Sequence, residues 1–236
     1  MGIVSKLFNA LFNNVRLNNT NPLMGDALKQ VLVSAMYAEQ QSAYLNSYET
    51  GIADSDAKTI LQEYWGIHSK AAAEDTLSYL LRKGHSYYFD AIYMALTTEK
   101  NNYAAYLQSA FPPEELEKGI SLFRGLRSNI DTLVNDKVIT RIEDLQTYKV
   151  YGWDYGRLSF MTRLCYEHQL IPEHVMKQFL RESLEGTKRA YTNWGDFSKG
   201  YIIGRAMWGG QDNSGMTGIA NSLLTNKKSP WLNVPL

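Results

Sequence analysis

Asp154 and Arg157 are the charged residues whose spacing and surroundings are best suited to chemistry. They belong to the segment Trp-Asp-Tyr-Gly-Arg and are three residues apart, a spacing that makes them neighbours on a helix surface. A helical wheel over residues 153–168 places both inside the apolar arc that contains Trp153. Charges that face a core are costly unless they are paired and hydrogen-bonded. The pattern therefore predicts either an ion pair that fixes helix docking or the lining of a polar pocket. The opposite, polar arc contains Tyr155, Ser159, Thr162, Arg163 and Glu167.

A second helical segment combines an arginine with aromatic side chains. Arg205 shares one face with Trp194, Phe197, Tyr201 and Trp208. An arginine on an aromatic face is more often a stacked structural residue than a catalytic one. Gly204 lies beside it, which predicts that a second helix approaches closely at this point. We expect Arg157 and Arg205 both to be placed where they could serve Asp154.

His85 follows Gly84, a residue suited to ending the preceding helix. A histidine there commonly bonds the terminal carbonyl groups, and a general-base role is the alternative. The candidate polar cluster, whether structural or lining a pocket, therefore consists of His85, Asp154, Arg157 and Arg205. The predicted aromatic packing residues are Trp65, Trp153, Trp194, Phe197, Tyr201 and Trp208.

Common catalytic and cofactor motifs are absent from the sequence. It contains no nucleotide-binding or phosphate-binding glycine loop, no nucleophile-elbow serine and no His-Glu-x-x-His motif. Cys165, His168 and His174 have a loosely metal-like spacing, but a structural zinc site needs four ligands and there is no second cysteine. We therefore expect no metal and no cofactor. The sequence leans against an enzyme without excluding one.

Helical periodicity dominates the chain, and no run alternates as a strand would. With 236 residues, the chain is predicted to form one compact all-α domain of about eight to ten helices. Ser69 and Asn193 are predicted helix N-caps. We expect an amphipathic segment at 1–20, a helical domain at 21–208, and at 209–236 an irregular tail docked by its apolar end.

Charge and composition limit the partners. Lys plus Arg and Asp plus Glu both number 24, so no net positive field attracts nucleic acid. A single cysteine fits a reducing, cytoplasmic compartment, and no apolar run is long enough to span a membrane. Apolar residues recur along 3–15, which predicts a helix docked on the domain or, as the alternative, a weak membrane-surface helix.

Several of these stretches together resemble the bacterial family known as domain of unknown function 1266. They are Trp65-Gly66-Ile67 with Ser69 and the helix ending in Gly84-His85, Trp153-Asp154 with Gly156-Arg157, the set Trp194, Phe197, Tyr201, Gly204-Arg205 and Trp208, and the tail Ser229-Pro230-Trp231. The resemblance spans roughly residues 61–232. Pro172 and Gly200 depart from it, since the family tends to have Ser at both positions. It implies a bacterial helical protein and no particular activity.

Three functional hypotheses remain open. The first is a non-catalytic interaction factor of the immunity or adaptor type that binds another protein, because aromatic residues are enriched at interfaces. The second is an enzyme or small-ligand-binding protein with a polar pocket around the cluster, since arginines suit carboxylate or phosphate ligands. The third is a peripheral membrane protein held by residues 3–15. The sequence favours the first.

Overall fold

The computed structural model describes residues 15–97, 102–210 and 214–236, and every regular element in these ranges is helical. The α-helices are α1 (Gly25–Leu32), α2 (Ala35–Gln40), α3 (Asp54–Lys58), α4 (Lys70–Arg82), α5 (Ser86–Thr97), α6 (Tyr103–Ala110), α7 (Pro113–Asn135), α8 (Asp144–Tyr148), α9 (Tyr151–Glu167), α10 (Glu173–Ala190), α11 (Trp194–Met207), α12 (Ser214–Thr225) and α13 (Pro230–Asn233). A π-helical segment, Thr59–Tyr64, directly continues α3. The predicted all-α fold is confirmed. Its short helices have too few turns to leave a periodic signal in the sequence.

Helix α9 runs through the middle of the molecule. It packs most extensively against α10 and α11, and also against α4 and α2. Most of its polar arc is buried as well: Ser159, Thr162 and Arg163 are completely inaccessible, Tyr155 is half-buried, and Glu167, the last residue of the helix, is exposed. The one-sided burial indicated by the helical wheel is therefore wrong, because other helices cover α9 on every side. The guanidinium of Arg163 donates to the Ser34 hydroxyl at 2.9 Å and to the carbonyl of Tyr44 at 2.7 Å, so its buried N–H groups have hydrogen-bond acceptors nearby.

Two sequence signals position the helices that meet α9. The Ser69 hydroxyl accepts the N–H of Ala72 at 3.2 Å and caps α4, as predicted. The Asn193 side chain caps α11 by accepting the N–H of Asp196 at 2.8 Å. A β-carbon added at Gly204 would lie 2.2 Å from that of Trp153, so the predicted close approach of α11 to α9 is also confirmed.

The C-terminal region is not an irregular tail as expected. Residues 214–225 form α12, in which Met216, Ile219 and Leu223 are buried. Burial of this apolar stripe outweighs the weak helix propensity of the glycine and serine residues around it. The apolar end does dock as predicted, because the Trp231 indole donates to the carbonyl of Leu32 at 3.0 Å.

Residues 3–14 of the predicted amphipathic stripe lie outside the described ranges, whereas Val15 is described and buried. Within the described ranges, no helix has the length and hydropathy needed to cross a membrane.

Candidate functional site

The site begins with Asp154, which lies in the first turn of α9 and is 1% exposed. One carboxylate oxygen, Oδ1, accepts the backbone N–H of His85 at 2.9 Å, and Oδ2 accepts that of Ser86 at 2.8 Å. These N–H groups lie at the start of α5, and Asp154 itself lies in the first turn of α9. The carboxylate is therefore close to the positive ends of both helix dipoles. Complete burial raises the pKa of Asp154, and the guanidinium of Arg157 and these N–H donors oppose the rise.

Gly84 makes this contact between α4 and α9 possible. Its φ of +52° ends α4 in the left-handed conformation, as predicted. A β-carbon at this position would lie 2.3 Å from the carboxylate carbon of Asp154. The glycine therefore serves both the helix end and the approach of the carboxylate to the next two N–H groups.

Arg157 is fixed by three hydrogen bonds that use one side of its guanidinium. Nε donates to the carbonyl of Trp153 at 3.1 Å, and Nη2 donates to Oδ1 of Asp154 at 2.8 Å. Nη2 also lies 3.2 Å from Nδ1 of His85. Nη1 makes no hydrogen bond within the described residues, and the side chain retains 9% exposure. The pair predicted from its spacing is therefore present, with one edge of the guanidinium unused.

The contact with Arg157 sets the protonation of His85. Arginine has only donors, so Nδ1 of His85 must accept and the ring proton resides on Nε2. Burial lowers the pKa of His85 well below its usual value, and the cations Arg157 and Lys118 lower it further. His85 is thus neutral at neutral pH. The predicted bond from its side chain to helix-terminal carbonyls is wrong, because the turn at Gly84 directs the ring toward α9.

Two indoles enclose the guanidinium of Arg157. Its central carbon lies 4.3 Å from the Trp153 ring centroid and 5.6 Å from that of Trp65. Trp65 is delivered by the π-helical segment, since its N–H bonds the carbonyl of Ile60, five residues earlier. The Trp65 indole N–H donates to the Tyr37 hydroxyl at 3.1 Å, which ties α2 to the cluster.

Three buried polar atoms around Arg157 have no hydrogen-bond partner within the described residues. They are Nε2 of His85, Nε1 of Trp153 and the hydroxyl of Tyr201. The Trp153 ring meets the other two edge-on, at centroid distances of 6.1 Å to His85 and 5.0 Å to Tyr201. Buried polar groups without partners are rare and costly, so their grouping beside one guanidinium requires an explanation.

A second charged group adjoins the cluster on α7. Lys118 donates to the Tyr79 hydroxyl at 2.5 Å and lies 4.4 Å above the Tyr79 ring. Glu115, one turn earlier, pairs with Lys83 and accepts a bond from Tyr88. Burial and the nearby charge of Arg157 lower the pKa of Lys118, although Glu115 opposes this. Lys118 therefore adds positive charge beside His85.

Two predicted residues do not join the site. Arg205 is not among the described hydrogen-bond partners of Asp154, and its guanidinium lies against Gly210, where an added β-carbon would be 2.7 Å from Nη1. The expectation that Arg205 serves Asp154 is therefore wrong. Trp208 is predicted to pack with the other aromatic residues, but it is 63% exposed, because α11 ends at Met207. Its ring nevertheless lies 6.3 Å from that of Trp153.

The remaining predicted aromatics form a separate packing cluster. Trp194 stacks on Trp231 at 4.9 Å, and Phe197 meets both rings edge-on. The Trp194 indole donates to the carbonyl of Val234 at 2.8 Å, which fixes the end of the chain. These residues are structural and lie apart from the cluster around Arg157.

Sequence reasoning missed Tyr37, Tyr79 and Lys118. Tyr37 lies 120 positions before Arg157, and no motif or spacing links the two. Lys118 is one of several lysines on helix surfaces, and its environment depends on how α7 meets α4. Among the described residues there is no group of three potential metal ligands. A shallow groove lined by Ile52, Asp54, Lys58, Glu167, His168 and Gln169 adjoins the opposite end of α9, about 20 Å along the helix from Asp154.

A family model described as "Protein of unknown function (DUF1266)" matches residues 60–236. The chain belongs to this family. The DUF1266 region contains His85, Asp154, Arg157 and Tyr201, whereas Tyr37 precedes it. The resemblance identified from the tryptophan-containing segments is thereby confirmed. Neither the curated proteins nor the solved structures contain a match to this DUF1266 chain.

Proposed function

We propose that the protein binds a small polar ligand at the cluster formed by His85, Trp153, Asp154, Arg157 and Tyr201. The observation that carries this proposal is the set of buried polar atoms without partners around a guanidinium whose Nη1 is also unused in the described residues. A purely structural ion pair is expected to have all its polar neighbours satisfied. A ligand that completes these bonds would explain the arrangement.

Access supports the same proposal. Arg157 keeps a small exposed fraction, and Trp208 stands exposed beside Trp153. Binding sites commonly combine aromatic walls with a few fixed polar groups. Arg157 and Asp154 are held by backbone and side-chain bonds, so the site is organised before a ligand arrives.

The proposal is tested by following the five tryptophan indole N–H signals in a nitrogen-15 NMR spectrum. A library of small metabolites of mixed charge is titrated into the protein, and Trp153→Phe assigns the Trp153 signal. A ligand at the cluster is expected to shift the signals of Trp153 and Trp65. The indoles of Trp194 and Trp231 donate to backbone carbonyls elsewhere and serve as internal controls. The proposal fails if no compound shifts the Trp153 signal more than the two control signals.

A protein partner is the second candidate function. Trp208 and Tyr64 are 63% and 59% exposed; the Trp208 ring lies 6.3 Å from that of Trp153, and Tyr64 directly precedes Trp65 in the chain. Exposed aromatic side chains are typical interface anchors. Affinity capture from the native host should then recover a protein with the wild type that Trp208→Ser does not retain. Equal recovery by both would remove this candidate.

We also propose that the protein is bacterial, as the resemblance implies, and that it is located in the cytoplasm. The buried, reduced thiol of Cys165 supports the location.

A further inference from the structure

We infer that the ligand is an oxyanion, a carboxylate or phosphate group, held by the Nη1 edge of Arg157 together with the indole N–H of Trp153 and the hydroxyl of Tyr201. This inference rests on the proposed ligand site and specifies its chemistry. It is carried by the hydrogen-bonding capacity that the protein leaves unused around Arg157.

The acceptors of the cluster are already engaged. Oδ1 of Asp154 accepts from the His85 backbone and from Nη2 of Arg157, and Oδ2 accepts from the Ser86 backbone. Nδ1 of His85 accepts from Nη2 of Arg157, and the carbonyl of Trp153 accepts from Nε. Each acceptor already receives at least one bond, so a cationic or donor-rich ligand would find few lone pairs left to bind.

The groups left over are donors. Arginine has five N–H groups, and the three on Nε and Nη2 are used, which leaves the two on Nη1. An indole nitrogen can only donate, so Trp153 adds one more N–H. The Tyr201 hydroxyl can donate as well, because it has no hydrogen-bond partner within the described residues. Several donors without an acceptor match the oxygen atoms of an anion.

The side chains that carry these donors are in contact with one another. The guanidinium carbon of Arg157 is 4.3 Å from the Trp153 ring centroid, and the Tyr201 ring is 5.0 Å from the same centroid. Trp153 is thus the shared neighbour of the other two. The charge of Arg157 also acts on the Tyr201 hydroxyl, since it lowers the pKa that burial raises.

Local charge favours an anion. Asp154 balances Arg157, but Lys118 adds a further positive charge and has no carboxylate within ion-pair distance in the described residues. Arg157 and Lys118 both lower the pKa of His85, so their positive charge reaches the cluster. In a buried site such charge is weakly screened and stabilises a bound anion.

The closing experiment compares benzoate, benzamide and benzamidine, three planar probes of similar shape that carry a negative charge, no charge and a positive charge. Each is titrated while the indole signals of Trp153 and Trp194 are followed. Benzoate is expected to shift the Trp153 signal at concentrations at least about tenfold below those needed for the other two, as the loss of a charge-assisted hydrogen bond implies. Inorganic phosphate in a separate titration distinguishes a phosphate site from a carboxylate site.

A variant links binding to the named donors. Tyr201→Phe removes only a hydroxyl without a described partner, so the protein is expected to fold and to bind the preferred anion about tenfold more weakly. Tyr166→Phe, near the other end of α9, is the matched control and should bind as the wild type does.

The possible results separate the two claims. Binding of benzamide or benzamidine in preference to both anions overturns the oxyanion inference and leaves the ligand site standing. Failure of benzoate and phosphate to shift the Trp153 signal also overturns the inference, whereas the ligand site then depends on the wider library. Equal anion binding by Tyr201→Phe and the wild type removes the hydroxyl from the donor set and overturns the inference as stated.

Discussion

Arg157→Ala tests whether the pair with Asp154 organises the fold. The change removes the bonds to Asp154, to Nδ1 of His85 and to the carbonyl of Trp153, at 2.8, 3.2 and 3.1 Å. It leaves a carboxylate that is 1% exposed without a cationic partner, bonded to the backbone N–H groups of His85 and Ser86. Removing one partner of a buried pair costs about 3–5 kcal/mol. In a domain of this size each kcal/mol lowers Tm by about 2–4 °C, so the expected loss is about 6–20 °C.

The assay is thermal unfolding followed by circular dichroism at pH 5 and pH 8. Arg181→Ala, an exposed change on α10, is the control and should alter stability by less than about 0.5 kcal/mol. Without the guanidinium, the pKa of Asp154 in the folded variant should rise further above its unfolded value. The folded variant then binds the proton more tightly than the unfolded chain, so its deficit relative to wild type should be smaller at pH 5 than at pH 8. A Tm within about 2 °C of wild type at pH 8 would refute the structural role of the pair.

Two further predictions concern His85 and Gly84. The folded pKa of His85 lies well below 6.5, so the unfolded chain gains a proton first as the pH falls and stability should drop by up to about 1.4 kcal/mol per pH unit below pH 6.5. His85→Gln keeps an acceptor for Arg157 but cannot titrate. In denaturant unfolding between pH 5 and 6.5, the slope of the unfolding free energy against pH should therefore correspond to about one proton fewer than in the wild type. An unchanged slope would show that other groups cause the pH dependence. Gly84→Ala forces a left-handed alanine and places a methyl group 2.3 Å from the carboxylate carbon of Asp154, whereas Gly66→Ala meets the same strain with nothing within 4 Å. Gly66→Ala should cost about 1–2 kcal/mol and Gly84→Ala clearly more, as measured by denaturant unfolding; equal losses would show that the contact with Asp154 is unimportant.

Much of the fold could be predicted from local signals. Capping at Ser69 and Asn193 and the helix end at Gly84 depend on bonds within a few residues, which the sequence displays directly. Helix α12 was missed because its stability comes from burying Met216 and Leu223 against the domain, and propensity does not report that burial.

The candidate site could be predicted only in part. Asp154 and Arg157 are on one helix, so their spacing alone indicates the pair. The position of His85 after Gly84 indicates a bond to helix-terminal carbonyls, whereas its backbone and ring both bond across to α9. Arg205 shares a helix face with Tyr201, but a helical wheel carries no information about which charge across the interface a side chain reaches.

In the Trp-Asp-Tyr-Gly-Arg segment, the sequence and the tertiary structure determine different features. The sequence alone determined that this region is helical, that an acid and an arginine are adjacent on it, and that Gly204 admits a close neighbour, because each follows from spacing along one chain segment or from residue size. Only the tertiary structure decided that α9 is covered on every side and that Trp65 and Tyr201 join Arg157. These contacts connect residues far apart in sequence, and they form because several helices bury their faces against the same central one.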